Sequence, residues 1–329
     1  MAVTLADIAQ INNAGDSRAL TLRGRLQAHS MLQYHKTSVT EGRGFSSDNV
    51  TGFGSKRKLI FDLASSSYFT PGAGLSGSDR NFNQRVINVD KDNVSHCYID
   101  RKESMLMGED TLMPIMTTQT RRIARDADIV RLRVGLKAAF STTRNVGTTY
   151  PLESGKVVNY DSSLTGNSAK IYAAVKTAAQ LMDDMEVPDD QRFLFIKTST
   201  YYELADSEKA MNQDWSGVGS VATGMLPMSW GFHVVKTPWL PTDNFTGTTN
   251  VHVGGTAGTN GNDYTNDNRN VVAVALHASC MGDVFNGGQM ETTLDMIPEE
   301  RAWLMTASKQ MGCNYFQPAG GVVIRTAAP

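Results

Sequence analysis

The longest regular pattern of apolar and polar residues predicts an amphipathic helix over residues 111–140. Pro114 is compatible only with the first turn of a helix, so we expect the helix to begin at residues 111–113. At about 1.5 Å of rise per residue, this helix would be roughly 45 Å long. The apolar stripe that repeats at helical spacing consists of Ile115, Ile123, Ala127, Val130, Val134 and Ala138.

The charged residues of this helix lie mostly off the apolar stripe, and most of them are arginines. We expect the arginines either to face solvent, with intrahelical pairs to Asp126 and Asp128, or to form salt bridges with a neighbouring subunit. The sequence leaves both roles open. The helix carries no nucleophile, ligand cluster or phosphate-binding loop, which favours an architectural role. The candidates for salt bridges between subunits are Arg121, Arg125 and Arg131.

The chain before this helix predicts an arm and a ribbon. Residues 1–55 are rich in Gly, Ser, Asn and Thr and predict an extended arm with at most one short helix, near residues 20–32. Residues 58–63 and 94–100 alternate between apolar and polar positions and predict a long two-stranded excursion. A two-stranded ribbon is marginally stable alone, so its apolar tip needs a covering surface, on its own domain or elsewhere. The apolar residues near the tip are Tyr68, Phe69, Leu75 and Phe82.

The chain after the long helix predicts a mixed sheet with flanking helices. A second amphipathic helix begins at Ser168 and ends at Pro188. Short apolar runs predict buried strands, and residues 242–270 read as an exposed loop. The predicted strands and the short helix between them cover residues 192–199, 199–211, 231–238 and 269–280.

The C-terminal segment, residues 290–329, predicts further strands. We expect these strands to pair beside the long helix and not with the middle sheet. Gly320, Gly321 and the aliphatic run after them form the last strand. The candidates for an inner face are Trp303, Met305 and either Cys313 or Tyr315.

Composition excludes several classes of protein. A hydrophobic content of 40% and a charged content of 19% are typical of a globular protein, and the net charge of -2 argues against a dedicated nucleic-acid binder. The chain shows no secretion signal, and its longest aliphatic run, residues 271–276, is too short to span a bilayer. We therefore expect a cytoplasm-like setting. We expect Cys97, Cys280 and Cys313 to be reduced and buried, since they are widely spaced.

The search for chemistry finds no catalytic, cofactor or metal site. GVGSVA, residues 217–222, matches a dinucleotide-binding pattern, but no strand precedes it and no helix follows, so we interpret it as a flexible loop. The histidines lack metal-ligand spacing. The acidic run over residues 183–190 lacks the EF-hand spacing and reads as a solvated helix end. We interpret the glycine-rich loop as a plain surface loop, and an ion-binding site is the alternative. The acidic and amide residues that would bind the ion are Asn260, Asn262, Asp263 and Asp267.

Several segments resemble the major capsid proteins of tailed bacteriophages with the HK97-like fold, in particular those of short-tailed (podovirus) phages of the autographivirus type. YFTPGAGL at residues 68–75 is similar to the tip of the E-loop, the long hairpin of that family. The other segments are VPDDQRFLFI (187–196), WGFHVVKTPWLP (230–241), NVVAVALHAS (270–279) and NYFQPAGGVVIR (314–325). The resemblance covers most of the chain from residue 26 onward.

This resemblance implies an α+β fold with an N-terminal arm (1–55), an E-loop (56–93), a peripheral or P domain (94–165) with the spine helix, an axial or A domain (166–287), and C-terminal strands (288–329) that complete the P-domain sheet. The implied function is a structural head protein, not an enzyme, that assembles through hexamers and pentamers into an icosahedral shell around double-stranded DNA. The implied contacts between subunits at the E-loop tip are Tyr68, Phe69, Pro71, Leu75 and Phe82, and the implied loop near the axis, residues 218–227, includes or adjoins Gly217, Gly219 and Gly224.

The same resemblance implies partners and a location. The protein would form a homo-oligomer in the virion, assembled in the host cytoplasm, with a portal at one vertex, a decoration protein as a further partner, weak non-specific contact with DNA and no membrane. Because only a short arm precedes the fold, we expect a separate scaffolding protein. The ribbon carries Lys56, Lys58 and Lys91 without evidence of a cross-linking partner, so we expect a non-covalent shell. We expect hinges at the base of the ribbon, near Lys56 and Lys91, and at the start of the spine helix. The alternatives are an α/β nucleotide-binding enzyme and a tail or decoration protein.

Overall fold

The long helix contacts elements from the N-terminal, middle and C-terminal parts of the chain. The computed structural model describes residues 17–50, 54–61, 68, 70–72, 82–90, 92–100, 109–142, 154–160, 167–207, 226–246, 262–287, 290–297, 299–300 and 302–326. Helix α2, Glu109–Phe140, has 32 residues. Most of the predicted apolar stripe is buried, from Ile123 to Ala138, and Ile115 packs against the same core.

Helix α2 begins at Glu109, two residues before the range 111–113 that Pro114 led us to expect. Pro114 lies inside the helix and is exposed, so the prediction of a start at 111–113 is wrong. An exposed proline near the helix start removes one backbone hydrogen bond without disturbing the packed face.

The second half of α2 is enclosed by other elements. Arg131 is 2% exposed and Arg133 is 6% exposed, so the prediction that the arginines face solvent or a neighbouring subunit is wrong for both. The helical period identified the stripe with the most apolar side chains. The helical period did not show that the opposite face is also buried. That face is covered by residues 38–45 and by the strand that contains Asp283.

A six-stranded mixed sheet forms the middle of the molecule, in the order β5-β16-β11-β6-β8-β7. Its strands are β5 (Lys156–Tyr160), β6 (Arg192–Lys197), β7 (Met228–Ser229), β8 (Phe232–Thr237), β11 (Val271–His277) and β16 (Gly321–Thr326). Helices α3 (Asn167–Asp184) and α4 (Thr198–Ala205) flank it. Strand β6 reads as a continuous apolar run because Phe193 and Phe195 join the core around α2, while Leu194 and Ile196 join the core under α3.

The last strand has a different neighbour from the predicted one. Strand β16 pairs with β11 and β5, so it lies inside the middle sheet and not beside the other C-terminal strands. The expectation that residues 288–329 all complete a sheet beside the long helix is therefore wrong for β16. Both of its faces are covered, and its aliphatic side chains fit a central position.

Two three-stranded sheets contact α2 elsewhere. The first has the order β13-β14-β4 and the second β1-β12-β15. The predicted inner-face residues Trp303, Met305, Cys313 and Tyr315 are all buried. The strands are β1 (Ser46–Val50), β4 (Asn93–Asp100), β12 (Met281–Asn286), β13 (Glu291–Ile297), β14 (Ala302–Lys309) and β15 (Met311–Tyr315).

A separate antiparallel ribbon is formed by β2 (Ser55–Phe61) and β3 (Phe82–Asn88). The predicted pairing of residues 58–63 with 94–100 is wrong, because β4 pairs with β14 of the C-terminal segment. Alternation along a strand fixes its two faces but not its partner, and the ribbon strand that follows the tip contains less regular alternation than β4.

Helix α1, Ser17–Thr37, is longer than the short helix expected near residues 20–32. Its apolar residues do not form a regular stripe at helical spacing, so its sequence pattern is weak. It is stabilised by packing: Leu26 and Tyr34 are buried, and the His29 ring nitrogen Nε2 lies 2.9 Å from Thr117 Oγ1 of α2.

Helix α3 ends before Pro188. The Val187 N–H donates to the Met182 carbonyl at 3.0 Å, the Glu186 N–H donates to the Asp183 carbonyl at 2.9 Å, and Glu186 has a φ of 56°. This left-handed cap ends the helix four residues earlier than the predicted stop.

Part of the predicted exposed loop, residues 242–270, is packed. Strands β9 (Asn244–Phe245) and β10 (Asn266–Asp267) pair with each other, and Asn262 is buried. Asp263 accepts a hydrogen bond from Lys137 Nζ at 2.6 Å, and Asp267 accepts one from Arg269. These protein partners favour the loop interpretation over an ion site for the three described residues, while Asn260 lies outside the described residues.

Candidate assembly surfaces

One side of the ribbon faces the body of the chain. Lys56 forms an ion pair with Asp48, and the Lys58 ammonium lies 4.4 Å from the centre of the Phe316 ring. Ile60 is buried, as is Ile87 of the opposite strand, which packs with Val284 and Phe316. The ribbon is therefore attached along this side by apolar and cationic contacts.

The opposite side of the ribbon is uncovered in the isolated chain. Ser55, Arg57 and Leu59 alternate with the attached residues and are exposed, Leu59 by 51%. Near the tip, Tyr68 is fully exposed and Pro71 is exposed. Of the other predicted tip residues, Phe69 and Leu75 lie outside the described residues; Phe82 is the first residue of β3, and its side chain also lies outside the description.

The root of the ribbon is fixed by a buried polar cluster that we call the root cluster: Asn88, Asp90, Asn262 and Tyr264. Asn262 donates to the Asn88 carbonyl at 2.7 Å and to Asp90 Oδ1 at 2.8 Å. The Tyr264 hydroxyl donates to Asp90 Oδ2 and accepts from the Cys313 N–H at 3.1 Å. Burial raises the pKa of Asp90 to about 7, although the hydrogen bonds from Tyr264 and Asn262 oppose the shift.

The root cluster depends on a close backbone approach. A Cβ atom at Gly312 would lie 1.8 Å from the Asn88 carbonyl oxygen, so only glycine fits there. Strand β15 therefore lies directly against the end of the ribbon. The sequence does not indicate this approach, because the residues involved come from three distant segments.

The arginines of α2 have three different surroundings. Arg121 is exposed. Arg122 forms an intrahelical ion pair with Asp126 at 3.3 Å, which agrees with the predicted pairing of the arginines to Asp126. The Arg125 guanidinium lies 4.0 Å from the Trp239 ring centre and is half-buried. Arg131 is buried within the chain and is not available to a neighbouring subunit. This corrects its assignment as a contact between subunits.

Arg131 is the centre of a buried ionic network. Its Nε donates to Asp283 Oδ2 at 2.8 Å, and its Nη2 donates to Glu41 Oε2 at 2.7 Å. Burial alone would raise the pKa of Glu41, but the charges of Arg131 and Lys309 lower it. The network joins the segment after α1, the middle of α2 and strand β12.

Asp128 fixes the same segment beside Arg131. Its carboxylate accepts from the Ser38 hydroxyl at 2.6 Å, the Val39 N–H at 2.8 Å and the Thr40 hydroxyl at 2.6 Å. Asp128 therefore does not form the predicted intrahelical pair. The carboxylate instead accepts hydrogen bonds from the polar groups of the turn that connects α1 to β1.

The described residues contain no arrangement typical of metal binding. No group of His, Cys, Asp and Glu among them is placed to hold a metal ion, and no described helix is long and apolar enough to cross a membrane. Cys280 and Cys313 are buried free thiols, and burial raises the pKa of Cys280 to about 12. Cys97 is only half-buried, against the expectation. Gly217, Gly219 and Gly224, with the GVGSVA segment, lie outside the described residues.

The chain is similar in sequence and in fold to known proteins. A family model described as Gp10A-like, major capsid protein, matches residues 63–324. The chain belongs to the Gp10A-like major capsid protein family. It is a structural protein of the phage capsid, located in the virion, and it functions as a subunit of a multi-subunit shell. No curated protein gives a significant sequence match.

Solved structures confirm the HK97-like fold. A chain from the capsid structure of the cyanophage P-SCSP1u has a TM-score of 0.73 at 20% identity, covering 87% of this chain and 87% of that chain. A chain from the mature capsid of bacteriophage PhiM1 has a TM-score of 0.71 at 17% identity, covering 88% and 87%. A virus-like particle from Pyrococcus furiosus has a TM-score of 0.52 at 14% identity, covering 92% and 98%.

An exposed aromatic group on the middle sheet was missed by the sequence analysis. Trp230 is 42% exposed and Met228 is 39% exposed, both at the β7 edge. The signal in the sequence is the dipeptide Trp-Gly between two short strands, where a tight hairpin turn prefers Asn-Gly.

Proposed function

We propose that this capsid protein assembles through hexamers and pentamers into an icosahedral shell that encloses double-stranded DNA. The observation that carries the proposal is the one-sided ribbon. Its inner side is packed against the chain, while its outer side presents Leu59 and the fully exposed Tyr68. Exposed apolar side chains on a two-stranded ribbon are typical of a surface that a neighbouring copy covers.

In this proposal the ribbon is the E-loop, and its tip lies over the adjacent subunit. Tyr68, Phe69, Pro71, Leu75 and Phe82 form the contact. The exposed positions of Tyr68 and Pro71 support this role. Arg121, exposed in the first half of α2, adds a charged contact.

The proposal also divides the chain into domains. The P domain combines α2 with β13, β14 and β4, and the A domain contains α3, α4 and the strands from β6 to β11. Strand β16 is shared, since it is the last described strand but pairs within the middle sheet. The loop that contains Gly217, Gly219 and Gly224 approaches the axis of the hexamer or pentamer.

The shell is non-covalent, and its stability comes from the large surface area buried between subunits. Interfaces of obligate assemblies bury on the order of thousands of Å², so modest contacts repeated by symmetry suffice. Two of the ribbon lysines already have partners in their own chain, Lys56 with Asp48 and Lys58 with the Phe316 ring, which does not favour cross-linking. The hinge for shell rearrangement lies at the ribbon base near Lys56 and Lys91.

Other components complete the assembly. A separate scaffolding protein directs it, a portal occupies one vertex, and a decoration protein binds outside. The head belongs to a short-tailed phage. Contact with the packaged DNA is weak and phosphate-directed, consistent with the net charge of -2.

The test is co-expression with a scaffolding protein, followed by sedimentation and electron microscopy. We expect closed icosahedral particles from the unaltered chain. Tyr68→Ala should strongly reduce closed particles without changing the melting temperature of the unassembled subunit, whereas Thr70→Ala, also at the exposed tip, should not. Rings or tubes in place of closed shells would favour a tail protein, and full assembly of the Tyr68 variant would contradict the role of the ribbon tip.

A further inference from the structure

The turn between β7 and β8 carries a residue that its backbone disfavours. Trp230 has a φ of 49° and Gly231 a φ of 79°. A two-residue hairpin turn with both central residues at positive φ prefers Asn-Gly or Gly-Gly, and a bulky aromatic side chain is strained in this region. Such departures from local preference cluster at functional sites.

Trp230 is the centre of an exposed patch. Its ring centre lies 5.6 Å from that of Tyr172, and the Lys176 ammonium lies 5.5 Å from the same indole. Tyr172 is half-buried, and Met228 adds a second exposed apolar side chain beside Trp230. We call these four residues, Tyr172, Lys176, Met228 and Trp230, the Trp230 patch. Tryptophan and tyrosine are among the residues that are enriched in interface hot spots.

The patch lies on an open sheet edge. Strand β7 has two residues and is the last strand of the six-stranded sheet, with β8 as its neighbour. Because the edge strand is very short, another chain cannot extend the sheet over many residues. The exposed aromatic side chain beside it can still form a contact through its ring.

A second departure from local preference occurs at the other end of α3. The last turn of this helix carries Asp183 and Asp184 and no basic residue, although the helix dipole disfavours negative charge there. Asp183 is paired with Arg192 at 2.7 Å. Asp184 and the left-handed Glu186 are exposed, and no ion pair involves them in the described part of the chain.

These two surfaces are complementary in charge but are two or more helical turns apart on α3. Lys176 and Asp184 are eight residues apart in the sequence, beyond the three- or four-residue spacing at which helical side chains meet. Two different surfaces on one domain are what a ring of identical subunits requires, because each contact in a ring joins unlike faces.

We propose that the Trp230 patch of one copy docks on the α3 end of the next copy, with Lys176 facing Asp184 and Glu186. The inference rests on the proposed function, since it assigns a contact within the capsomer ring. The indole fills the centre of the contact and the lysine forms the charged rim.

Trp230→Asn separates assembly from folding. Asparagine suits the positive φ of this turn, so the variant relieves backbone strain while removing the indole. We expect the melting temperature of the unassembled subunit to stay within about 4 °C of the original value and the yield of assembled particles to fall about tenfold or more. A larger loss of melting temperature would show that the indole serves its own chain, and it would overturn the inference.

A charge exchange tests the identity of the partner surface. Lys176→Glu and the pair Asp184→Lys with Glu186→Lys should each reduce assembly, and the three substitutions combined should restore it. Lys197→Glu, another exposed position of the same sheet, is the matched control and should assemble normally. Failure of the triple variant to recover, with the subunit still folded, would refute this pairing.

The outcome is distinguishable from failure of the proposed function. If the unaltered chain forms closed shells and Trp230→Asn forms them equally well, the inference is wrong and the capsid proposal stands. If the unaltered chain forms open rings or tubes, the shell proposal fails, and the yield of rings still reports on the contact.

Discussion

Arg131, in the middle of α2, donates from Nε to Oδ2 of Asp283 on β12 at 2.8 Å, and both side chains are buried. The pair connects the long helix to a strand that is distant in sequence. Because a buried charge without its partner is costly, this contact makes Arg131 a structural residue.

We expect Arg131→Glu to unfold or severely destabilise the chain. Removing one partner of a buried ion pair costs about 3–5 kcal/mol, and the new carboxylate would face Asp283 and Glu41. Urea unfolding and soluble yield measure the effect. Arg121→Glu, exposed on the same helix, should change the free energy of unfolding by less than about 0.5 kcal/mol. Equal stability of the two variants would contradict the structural role of Arg131.

Val130→Asp should prevent folding. Val130 is 6% exposed and belongs to the core around α2, so an aspartate there is a buried charge without a partner. Thr118→Asp, exposed on the same helix, is the control and should fold. Circular dichroism of the purified chains distinguishes the outcomes.

Gly312→Ala should detach the root of the ribbon. The added Cβ would meet the Asn88 carbonyl oxygen at 1.8 Å, and this neighbour is a backbone atom and not the end of a flexible side chain. We expect a loss of about 1–3 kcal/mol, with faster amide exchange in β3 than in α1. Gly24→Ala, in helix α1, meets nothing within 4 Å and should stabilise the chain by up to about 1 kcal/mol. A neutral Gly312 variant would show that the close approach has no energetic role.

The stability of the chain should fall as pH rises towards neutrality because of Asp90. Burial raises its pKa to about 7, so the folded state binds this proton more tightly than the unfolded state, whose aspartate pKa is about 3.9. Between about pH 4 and pH 7 the folded state therefore holds more protons, and its stability decreases across that window by on the order of 2 to 4 kcal/mol. Above about pH 7 the contribution levels off.

Urea unfolding at a series of pH values measures this slope. Asp90→Asn should flatten it, because an asparagine accepts the Tyr264 hydrogen bond without ionising. Asp92→Asn, two residues further on and exposed, should leave the slope unchanged. An unchanged slope in the Asp90 variant would show that another group titrates in this window.

The extent of agreement between sequence and structure differs by feature. The helical period located the apolar stripe of α2, and continuous aliphatic runs located the buried strands β6 and β11. The root cluster was not predictable, because it joins Asp90, Asn262 and Tyr264 from two regions far apart in the sequence. The Trp230 patch carried only the weak signal of an unusual turn dipeptide.

By itself, the sequence determined the elements whose apolar periodicity is local: the long helix, the second amphipathic helix and the aliphatic strands, together with the resemblance to capsid proteins. Only the tertiary structure decided that Arg131 is buried, that β4 pairs with β14, and that β16 enters the middle sheet. The physical reason is that periodicity specifies which face of an element is apolar, whereas partners are chosen by contacts between distant segments. For the same reason, a charged face that looks solvated along one helix can be covered by another part of the chain.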